Sequence, residues 1–562
     1  MIASLVLSPG LVLIAGGLML PLLARIGLRS VALLAFPALA LVLALALPDG
    51  VLVTSRFLGL DLVPLKMDAT SRVFATVFAL MSFAGSLYAL NQKSTIELAS
   101  AHVYAGSAIG VATAGDLVTV FIYWEAMALA STLVILSAGT KAHASGIRYA
   151  GIHMLGGVLL MAGIAGEIAA TGSTAFTALD LSTVPRMLIL SGFLVNVAAP
   201  PLSAWLPDAY PTSSWSGMVV LSAFTTKTAV YVLLRGFPGT ELLIPIGLFM
   251  IFYGIIYAIL ENDMRRILAY SIVNQVGFMV TGIGIGTELA LNGAAAHAFT
   301  HIIYKALLLM SAGSVLLMTG RSKCTDLGGL YRTMPLTAVC GIVGALAMSS
   351  FPWTSGFVSK SMISDAAGRE HLAVVWFLLA AASASAFLYV GIKFPWFVFF
   401  QKDSGLRPEE PPLNMRVAMI LLAAICIGLG VYPDPLYAML PYPVAYVPYT
   451  VSHVVNQLQL LLFSGLAFFL MLPLLERTLT ITLDVDWLWR RPGPWVAGVL
   501  DRYSGLTWEK LVDQVIAIST QLYKLLYRHH GPDGLFGRSW PTGTMAFWTT
   551  VMLGTVMILS YL

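Results

Sequence analysis

The sequence has 562 residues, of which 58% are hydrophobic and only 10% are charged, and its mean hydropathy is +0.86. Because soluble domains typically carry about 25% charged residues, this composition predicts a polytopic membrane protein and excludes a soluble globular domain. The small net charge of +4, without basic clusters that alternate with stacking aromatic residues, gives no indication of nucleic-acid binding.

Runs of about twenty apolar residues, the length that crosses a bilayer, follow one another along most of the chain. The first begins without a charged n-region or a small-residue cleavage site, which favours a first spanning helix over a signal peptide. The pattern predicts an all-α bundle of about sixteen helices, at 4–22, 30–47, 70–90, 99–114, 116–136, 148–169, 186–205, 215–235, 243–260, 267–286, 292–318, 336–362, 371–397, 415–431, 456–474 and 543–561.

The distribution of Lys and Arg predicts the orientation, because loops rich in these residues stay on the inner side of the membrane. With the N-terminus outside, most of the Lys and Arg residues fall in inner segments. The outer segments then contain only Arg56, Lys66 and Arg369. We therefore expect an outer N-terminus.

Prolines interrupt the seventh and the twelfth predicted helices. Pro200 and Pro201 lie in the seventh, and Pro352 lies with Gly356 in the twelfth. Proline removes a backbone donor and frees carbonyl groups, which membrane proteins tolerate beside protein or a hydrated cavity. The two interrupted helices are five helices apart in the chain, and because this number is odd they cross the membrane in opposite directions. This arrangement is typical of an inverted repeat around a mid-membrane site. Ordinary proline kinks in packed helices are the alternative.

Two ionisable residues stand alone in apolar runs of the first half. Glu125 has no neighbouring cation in sequence, and a buried carboxylic acid there can load and unload a proton. The alternative is a structural role, in which the carboxyl group forms hydrogen bonds with the backbone at a helix break. Lys227 is also deep in its run and is a candidate proton acceptor and donor, with snorkelling to the surface as its alternative.

His297, His301 and Lys305 follow one another at intervals of four residues in an otherwise apolar run. Residues at this interval lie on one face of a helix, so the sequence predicts a ladder of two imidazoles and an ammonium group. Ionisable groups at membrane depth usually mark an ion or proton path. Zinc binding by the two histidines is one alternative, but no third Cys, Asp or Glu ligand lies nearby in the sequence, and Lys305 would repel the cation. Core histidines with satisfied hydrogen bonds are the other alternative.

Three further residues are candidates for the same path. Lys360 ends the second broken helix, where a helix terminus and a hydrated gap can accommodate its charge. Lys393 is an accessory candidate with inward snorkelling as its alternative, and His153 is an accessory candidate with a structural role as its alternative. Asp116 is expected to begin the helix of Glu125, because a carboxylate suits a helix N-terminus.

Motifs for cofactors, metals and independent catalysis are missing from the sequence. It contains no GxGxxG, no P-loop and no Ser-His-Asp candidate, and the three cysteines lack CxxC spacing: Cys324, Cys340 and Cys426. We therefore predict no cofactor, no metal site and no catalytic residue.

The segment from about 475 to 542 differs from the helices before it. Asp486 to Arg491 and Trp495 mix aromatic with basic residues, as at a membrane interface. Residues 508–528 alternate apolar and polar groups at helical spacing, which predicts an amphipathic helix on the inner surface. A helix packed on another protein of a complex is the alternative.

Several motifs resemble the proton-translocating antiporter-like subunits that respiratory NADH dehydrogenase shares with Mrp-type Na⁺/H⁺ antiporters. They are Asp263-Met-Arg-Arg-Ile-Leu-Ala-Tyr-Ser-Ile-Val-Asn-Gln-Val-Gly277, the stretch from His297 to Lys305, Gly328-Gly-Leu-Tyr-Arg-Thr-Met-Pro335 and Gly356-Phe-Val-Ser-Lys360. The resemblance covers roughly residues 60–432. Within the family, the chain looks most like the D-type subunits of the Mrp antiporters.

This resemblance implies a fold and a set of roles. It implies fourteen core helices with two inverted five-helix repeats, each containing a broken helix, so that two C-terminal helices are extra. The predicted domains are 1–110 (N-terminal transmembrane helices), 111–400 (antiporter-like core), 401–474 (C-terminal core helices), 475–542 (aromatic, basic and amphipathic segment on the cytoplasmic side) and 543–562 (last transmembrane helix). The implied proton path consists of Glu125, Lys227, His297, His301, Lys305 and Lys360.

The chain departs from the family pattern at two positions. The family has a lysine nine residues before the Trp-Leu-Pro motif, where this chain has Asn196, and a histidine where this chain has Ser203. Asn196 cannot carry a proton charge, so it is only an accessory candidate. Three outcomes are open for the first half-channel: conduction through water and Lys227, coupling to another ion, or no conduction.

The resemblance implies a proton-conducting subunit of a multi-subunit monovalent cation/proton antiporter, with Na⁺ as the expected cation and other hydrophobic subunits as partners. The expected location is a bacterial inner membrane. One alternative is a proton-pumping subunit of a redox-driven complex, either NADH dehydrogenase or a membrane-bound hydrogenase. The other, suggested by Asn196, is a structural paralogue that does not conduct.

Overall fold

The computed structural model describes residues 7–473, 484, 487, 491–531, 534 and 541–560. Apolar runs form helices here because a helix satisfies every backbone donor and acceptor within its own segment, as lipid requires. The chain divides into two units, residues 1–485 and 486–562.

In the first half of unit 1, the described residues from position 7 onward form ten helices and one hairpin. They are α1 (Pro9–Arg25), α2 (Arg29–Ala46), β1 (Gly50–Phe57), β2 (Leu60–Met67), α3 (Ala69–Tyr88), α4 (Thr95–Thr113), α5 (Leu117–Leu136), α6 (Thr140–Thr171), α7 (Val184–Val197), α8 (Trp205–Ala209), α9 (Gly217–Leu221) and α10 (Thr225–Gly236). The two strands pair antiparallel, with Gly50 opposite Met67.

In the second half of unit 1, the described residues form ten more helices. They are α11 (Leu243–Leu260), α12 (Met264–Ile285), α13 (Glu288–Thr319), α14 (Pro335–Met348), α15 (Ser355–Arg369), α16 (Ala373–Ala386), α17 (Lys393–Pro395), α18 (Leu413–Val431), α19 (Asp434–Tyr437) and α20 (Val451–Leu470). Two π-helical turns, Phe387–Ile392 and Trp396–Phe400, flank α17. Single 3₁₀ turns lie at Ala89–Asn91, Tyr210–Thr212, Cys324–Asp326 and Leu330–Arg332.

Unit 2 contains α21 (Pro492–His530) and α22 (Thr542–Ser560). The amphipathic prediction for 508–528 falls within α21, a continuous helix of 39 residues. In the predicted aromatic and basic stretch, residues 486 and 488–490 lie outside the described residues.

Each predicted run coincides with helical structure. Among the described residues, twelve helices are long and apolar enough to cross a membrane. The other predicted runs correspond to α1, α4, α7 and α14, which are shorter or less apolar. The all-α polytopic architecture is therefore confirmed, whereas the count of fourteen core helices stays a prediction.

The two halves of unit 1 contain the same local structural features. The first of these is an aspartate that caps the N-terminus of a helix. Asp116 accepts from the N–H of Thr119 at the start of α5, and Asp263 accepts from the N–H groups of Arg265 and Arg266 at the start of α12. Asp116 also forms an isolated antiparallel bridge with Ala175, and Asp263 forms one with Lys323. Such caps satisfy donors that a helix N-terminus leaves free.

The long helices α6 and α13 each have 32 residues and end at a left-handed glycine, Gly172 and Gly320. The helices that follow them break in the same way. Ala198 and Ser350 have φ angles of 63° and 56°. Their N–H groups donate to the carbonyls three residues earlier, and the next N–H groups donate five residues back. A proline follows in each case. The two interruptions are thus equivalent parts of a repeated fold.

Candidate functional site

The centre of the site is α13, which carries His297, His301 and Lys305 with no exposed surface on any of them. Nδ1 of His297 lies 3.1 Å from the hydroxyl of Ser359, and its Nε2 lies 3.2 Å from Oε1 of Gln275. Helices α12, α13 and α15 therefore meet around one imidazole. Because Oε1 of Gln275 only accepts, Nε2 carries the hydrogen, and Nδ1 of the neutral ring accepts from the hydroxyl of Ser359.

The two lysines beside the second helix break share one residue of that break. Lys305 Nζ lies 2.5 Å from Oγ of Ser271 and 3.2 Å from Sδ of Met348. Lys360 Nζ donates to the carbonyl of Met348 at 2.9 Å and lies 4.9 Å from the centre of the Phe278 ring. The end of α14 thus contacts both ammonium groups.

His301 differs from its neighbour in having no hydrogen bond on either ring nitrogen within the described part of the chain. Its ring meets Tyr304 edge-on at 5.2 Å between centroids and lies 6.1 Å from the His297 ring. The charges of Lys227 and Lys305 lie within electrostatic range of it. Both nitrogens of this ring are therefore available to a donor or acceptor that enters the cluster.

Lys227 joins the cluster from the first repeat. The run predicted as one helix at 215–235 is interrupted between α9 and α10, and the Nζ of Lys227 donates to the freed carbonyl of Ser222 at 2.6 Å. Its side chain is entirely buried, so it does not snorkel. Lys227 and Lys360 both lie within electrostatic range of His301 and Lys305, so the two lysines and the α13 ladder form one cluster.

Glu125 belongs to α5 and Asn196 to α7, the two helices that precede and follow α6 and pack against it. A Cβ atom placed on Gly157 of α6 would lie 2.1 Å from Oε1 of Glu125, so the carboxylate packs against this glycine. Asn196 is fully buried, and neither atom of its amide has a hydrogen-bond partner among the described residues. No ion pair joins Glu125 to a lysine or arginine in that part of the chain.

His153 has packing contacts of the kind expected for a structural histidine. Its ring stacks on Tyr149 with centroids 3.9 Å apart and meets Trp205 edge-on at 4.6 Å. Its Nδ1 lies 3.0 Å from the carbonyl of Tyr149. The ring thereby fixes α6 against the segment that follows the first break.

Lys393 caps a helix. Its Nζ donates to three carbonyls at the end of α11, those of Ala258 at 3.1 Å, Ile259 at 2.5 Å and Glu261 at 2.8 Å. A cation at a helix C-terminus satisfies acceptors that the helix leaves free. This geometry favours a structural role over inward snorkelling.

Sequence reasoning did not single out the polar partners of the cluster. Gln275 links His297 to Tyr304, whose hydroxyl donates to the same Oε1 at 3.2 Å. The hydroxyl of Ser359 lies 2.8 Å from that of Thr300. A signal existed, because Asn274 and Gln275 are adjacent amides within an apolar run. The described residues contain no group of three or more His, Cys, Asp or Glu that could hold a metal ion.

Comparisons with known proteins identify the type of chain. A family model described as NADH:quinone oxidoreductase/Mrp antiporter, TM, matches residues 114–388. The A/B subunit of a probable K(+)/H(+) antiporter from Rhizobium meliloti is 30% identical over 409 residues, which cover 67% of this chain and 41% of that protein. The D subunit of the Na(+)/H(+) antiporter from Alkalihalophilus pseudofirmus is 29% identical, with coverage of 58% and 71%.

The N subunit of NADH-quinone oxidoreductase from Desulforudis audaxviator is 30% identical over 375 residues, which cover 58% of this chain and 72% of that protein. One protein in the structure of the Mrp complex from Dietzia sp. DQ12-45-1b has the same fold, with a TM-score of 0.76 at 24% identity. That match covers 92% of this chain and 62% of the other.

Proposed function

Since the chain belongs to the family of membrane proteins shared by NADH:quinone oxidoreductase and the Mrp antiporters, we propose that it is a proton-conducting subunit of a multi-subunit monovalent cation/proton antiporter. Na⁺ is the proposed cation, and other hydrophobic subunits are the proposed partners. We place the complex in a bacterial inner membrane, with the N-terminus of this chain outside.

One observation carries the proposal: four buried basic side chains from three helices lie within electrostatic range of one another, with no carboxylate among them in the described residues. Lys227, His301, Lys305 and Lys360 are each at most 2% exposed. Three of their ammonium groups bind a backbone carbonyl or a hydroxyl. Burying several like charges together is costly, so a proton on one group disfavours a proton on the next.

This repulsion supplies a mechanism for coupling. When a cation or proton moves at one end of the row, the charge at that end changes. The neighbouring group then gains or releases its proton, and the change passes along the row from Lys227 through the α13 ladder to Lys360. The two ring nitrogens of His301, which have no hydrogen-bond partner among the described residues, can bind the water that such transfer needs.

The proposal is tested with the whole complex in membrane vesicles. We expect addition of Na⁺ to cause a pH change across the membrane, and we expect Lys305→Met to reduce its rate by at least tenfold while the complex still assembles. Lys141→Met, at an exposed lysine at the start of α6, is the matched control and should keep the normal rate. A Lys305→Met complex that works at full rate removes the proposal.

A second candidate function is proton pumping in a redox-driven complex, either an NADH dehydrogenase or a membrane-bound hydrogenase. The similarity to the N subunit of NADH-quinone oxidoreductase favours it. The same row of basic groups would serve both functions, so the partners distinguish them. Copurification with flavin or iron–sulfur subunits supports the redox-driven complex, and copurification with small hydrophobic subunits supports the antiporter.

A third candidate, a structural subunit that does not conduct, follows from Asn196. A neutral amide replaces the family lysine next to the segment of Glu125 and leaves the carboxylate without a cationic partner among the described residues. This candidate predicts that substitutions of Lys305 or Lys360 change assembly or stability but leave transport by the assembled complex unchanged.

A further inference from the structure

A cavity of about 540 Å³ opens beside α15 and reaches Lys360. Lys360 itself is only 2% exposed. Asp365 and Arg369, which also line the cavity, form an ion pair at 2.8 Å with side chains 38% and 58% exposed. The cavity, which we call the vestibule, therefore extends from the surface to a buried lysine, and its volume accommodates many waters at about 30 Å³ each.

One wall of the vestibule comes from α20 and the loop before it, which lie beyond the residues 114–388 that the family model matches. Helix α20 is hydrogen-bonded to the break between α14 and α15, because the side chain of Gln457 donates to the carbonyl of Ser349 at 3.3 Å. Tyr449 also accepts from the N–H of Trp353 at 3.2 Å. The wall is thus fixed relative to Lys360.

His453, in the first turn of α20, lies in this wall. Its ring stacks on Phe357 with centroids 4.5 Å apart and an interplanar angle of 17°. Its Nδ1 lies 2.7 Å from the carbonyl of Pro448. A carbonyl oxygen only accepts, so Nδ1 carries the hydrogen and Nε2 of the neutral ring is the nitrogen that can take up a proton.

Phe357 precedes Lys360 by three residues on α15, so the stacked His453 ring lies beside the same face of that helix as the lysine. We propose that His453 is the proton-transfer residue of the vestibule, which exchanges protons with outside water and, through vestibule water, with Lys360. This inference rests on the proposed function. The proton on Nε2 of the imidazolium passes to water, a proton from the water chain binds the neutral amine of Lys360, and a neutral imidazole remains.

The surroundings of His453 favour a single proton shared with Lys360. Two positive charges in one vestibule repel each other, so His453 gives up its proton to an unprotonated lysine rather than adding a second charge. The ion pair of Asp365 and Arg369 is neutral as a whole, and α16 contributes Trp376 and Ser383, which do not titrate. The titratable and charged groups that face the ring are Lys360, Asp365, Arg369, Tyr446 and Tyr449.

The first experiment tests the vestibule independently of transport. All three native thiols are buried, so Ser364→Cys introduces one reactive group in the vestibule wall. We expect a membrane-impermeant methanethiosulfonate to label it in the assembled complex at least tenfold faster than Ser131→Cys, whose position is fully buried. Equal labelling rates would mean that water does not reach the vestibule, and the inference would be wrong.

The second experiment tests the imidazole. His453→Phe keeps an aromatic ring against Phe357 but removes the exchangeable proton. We expect the proton-transfer rate of the assembled complex to fall about tenfold near neutral pH, and added imidazole to restore part of it. His143→Phe, at an exposed histidine of α6, should keep the normal rate.

A normal rate in His453→Phe would overturn the inference and leave His453 with a stacking role. If the wild-type complex itself moves no protons, the proposed function fails instead, and the inference fails with it. Thiol labelling of Ser364→Cys in that case still shows whether the vestibule is open to water, so the two failures are distinguishable.

Discussion

The ammonium group of Lys360 donates to the backbone carbonyl of Met348 at 2.9 Å, across the break between α14 and α15. The carbonyl is free because α14 ends at Met348 and Ser350 turns the chain with a φ of 56°. The partial negative charge of a helix C-terminus stabilises a cation at such a position. The break thus provides a backbone partner for a charge that has no carboxylate partner among the described residues.

We expect Lys360→Met to remove the hydrogen bond to the carbonyl of Met348 and to reduce the rate of proton-coupled transport by at least tenfold. Lys360→Arg should also reduce the rate, because guanidinium stays charged in proteins and cannot cycle between charged and neutral forms. The measurement is the rate of the pH change in vesicles at equal amounts of assembled complex. Normal transport in Lys360→Arg would show that the residue needs only its charge and that it does not carry the proton.

Gly157 provides a steric test of Glu125. Its missing Cβ would lie 2.1 Å from Oε1 of Glu125, so Gly157→Ala forces the carboxylate out of its position. The displaced atoms are the far end of a flexible side chain, which can rotate at low cost, so we expect a slower transport rate with a change in stability of less than about 1 kcal/mol. The control is Gly151→Ala on the same helix, where a Cβ meets nothing within 4 Å and alanine should stabilise by about 0.4–1 kcal/mol.

Both variants can be compared by thermal unfolding of the purified complex in detergent. The comparison is matched because both glycines lie in α6 and both substitutions raise helix propensity equally. If Gly157→Ala were as active as Gly151→Ala, a role for the position of the Glu125 carboxylate against α6 would be wrong.

The sequence was informative where a residue type alone determines the structure. Prolines indicated both helix breaks, and a four-residue interval placed His297 and Lys305 on one helix face. The hairpin of β1 and β2 was not predicted, because its short strands lie between two spanning runs and carry no apolar run of spanning length. The carbonyl of Met348 and the amide of Gln275 could not be predicted as partners, since only packing between distant helices brings them to the lysine and the histidine.

Asn196→Lys restores a titratable group at the break of the first repeat. We expect the new ammonium group to raise the transport rate, because Asn196 is fully buried and Glu125 has a buried oxygen without a hydrogen-bond partner in the described residues. Glu125→Gln added to Asn196→Lys should abolish the gain. An unchanged rate in Asn196→Lys would instead support a first repeat that does not conduct.

Lys393→Met tests whether a buried lysine of this fold is structural. The substitution leaves the carbonyls of Ala258, Ile259 and Glu261 without the ammonium group that they share, so we expect a stability loss of about 2–3 kcal/mol. Transport by the fraction that assembles should stay within about twofold of normal, because the fixed ammonium group serves as a helix cap. Thermal unfolding and vesicle assays at equal complex content measure the two effects. A stable complex with a tenfold lower rate would place Lys393 in the proton path.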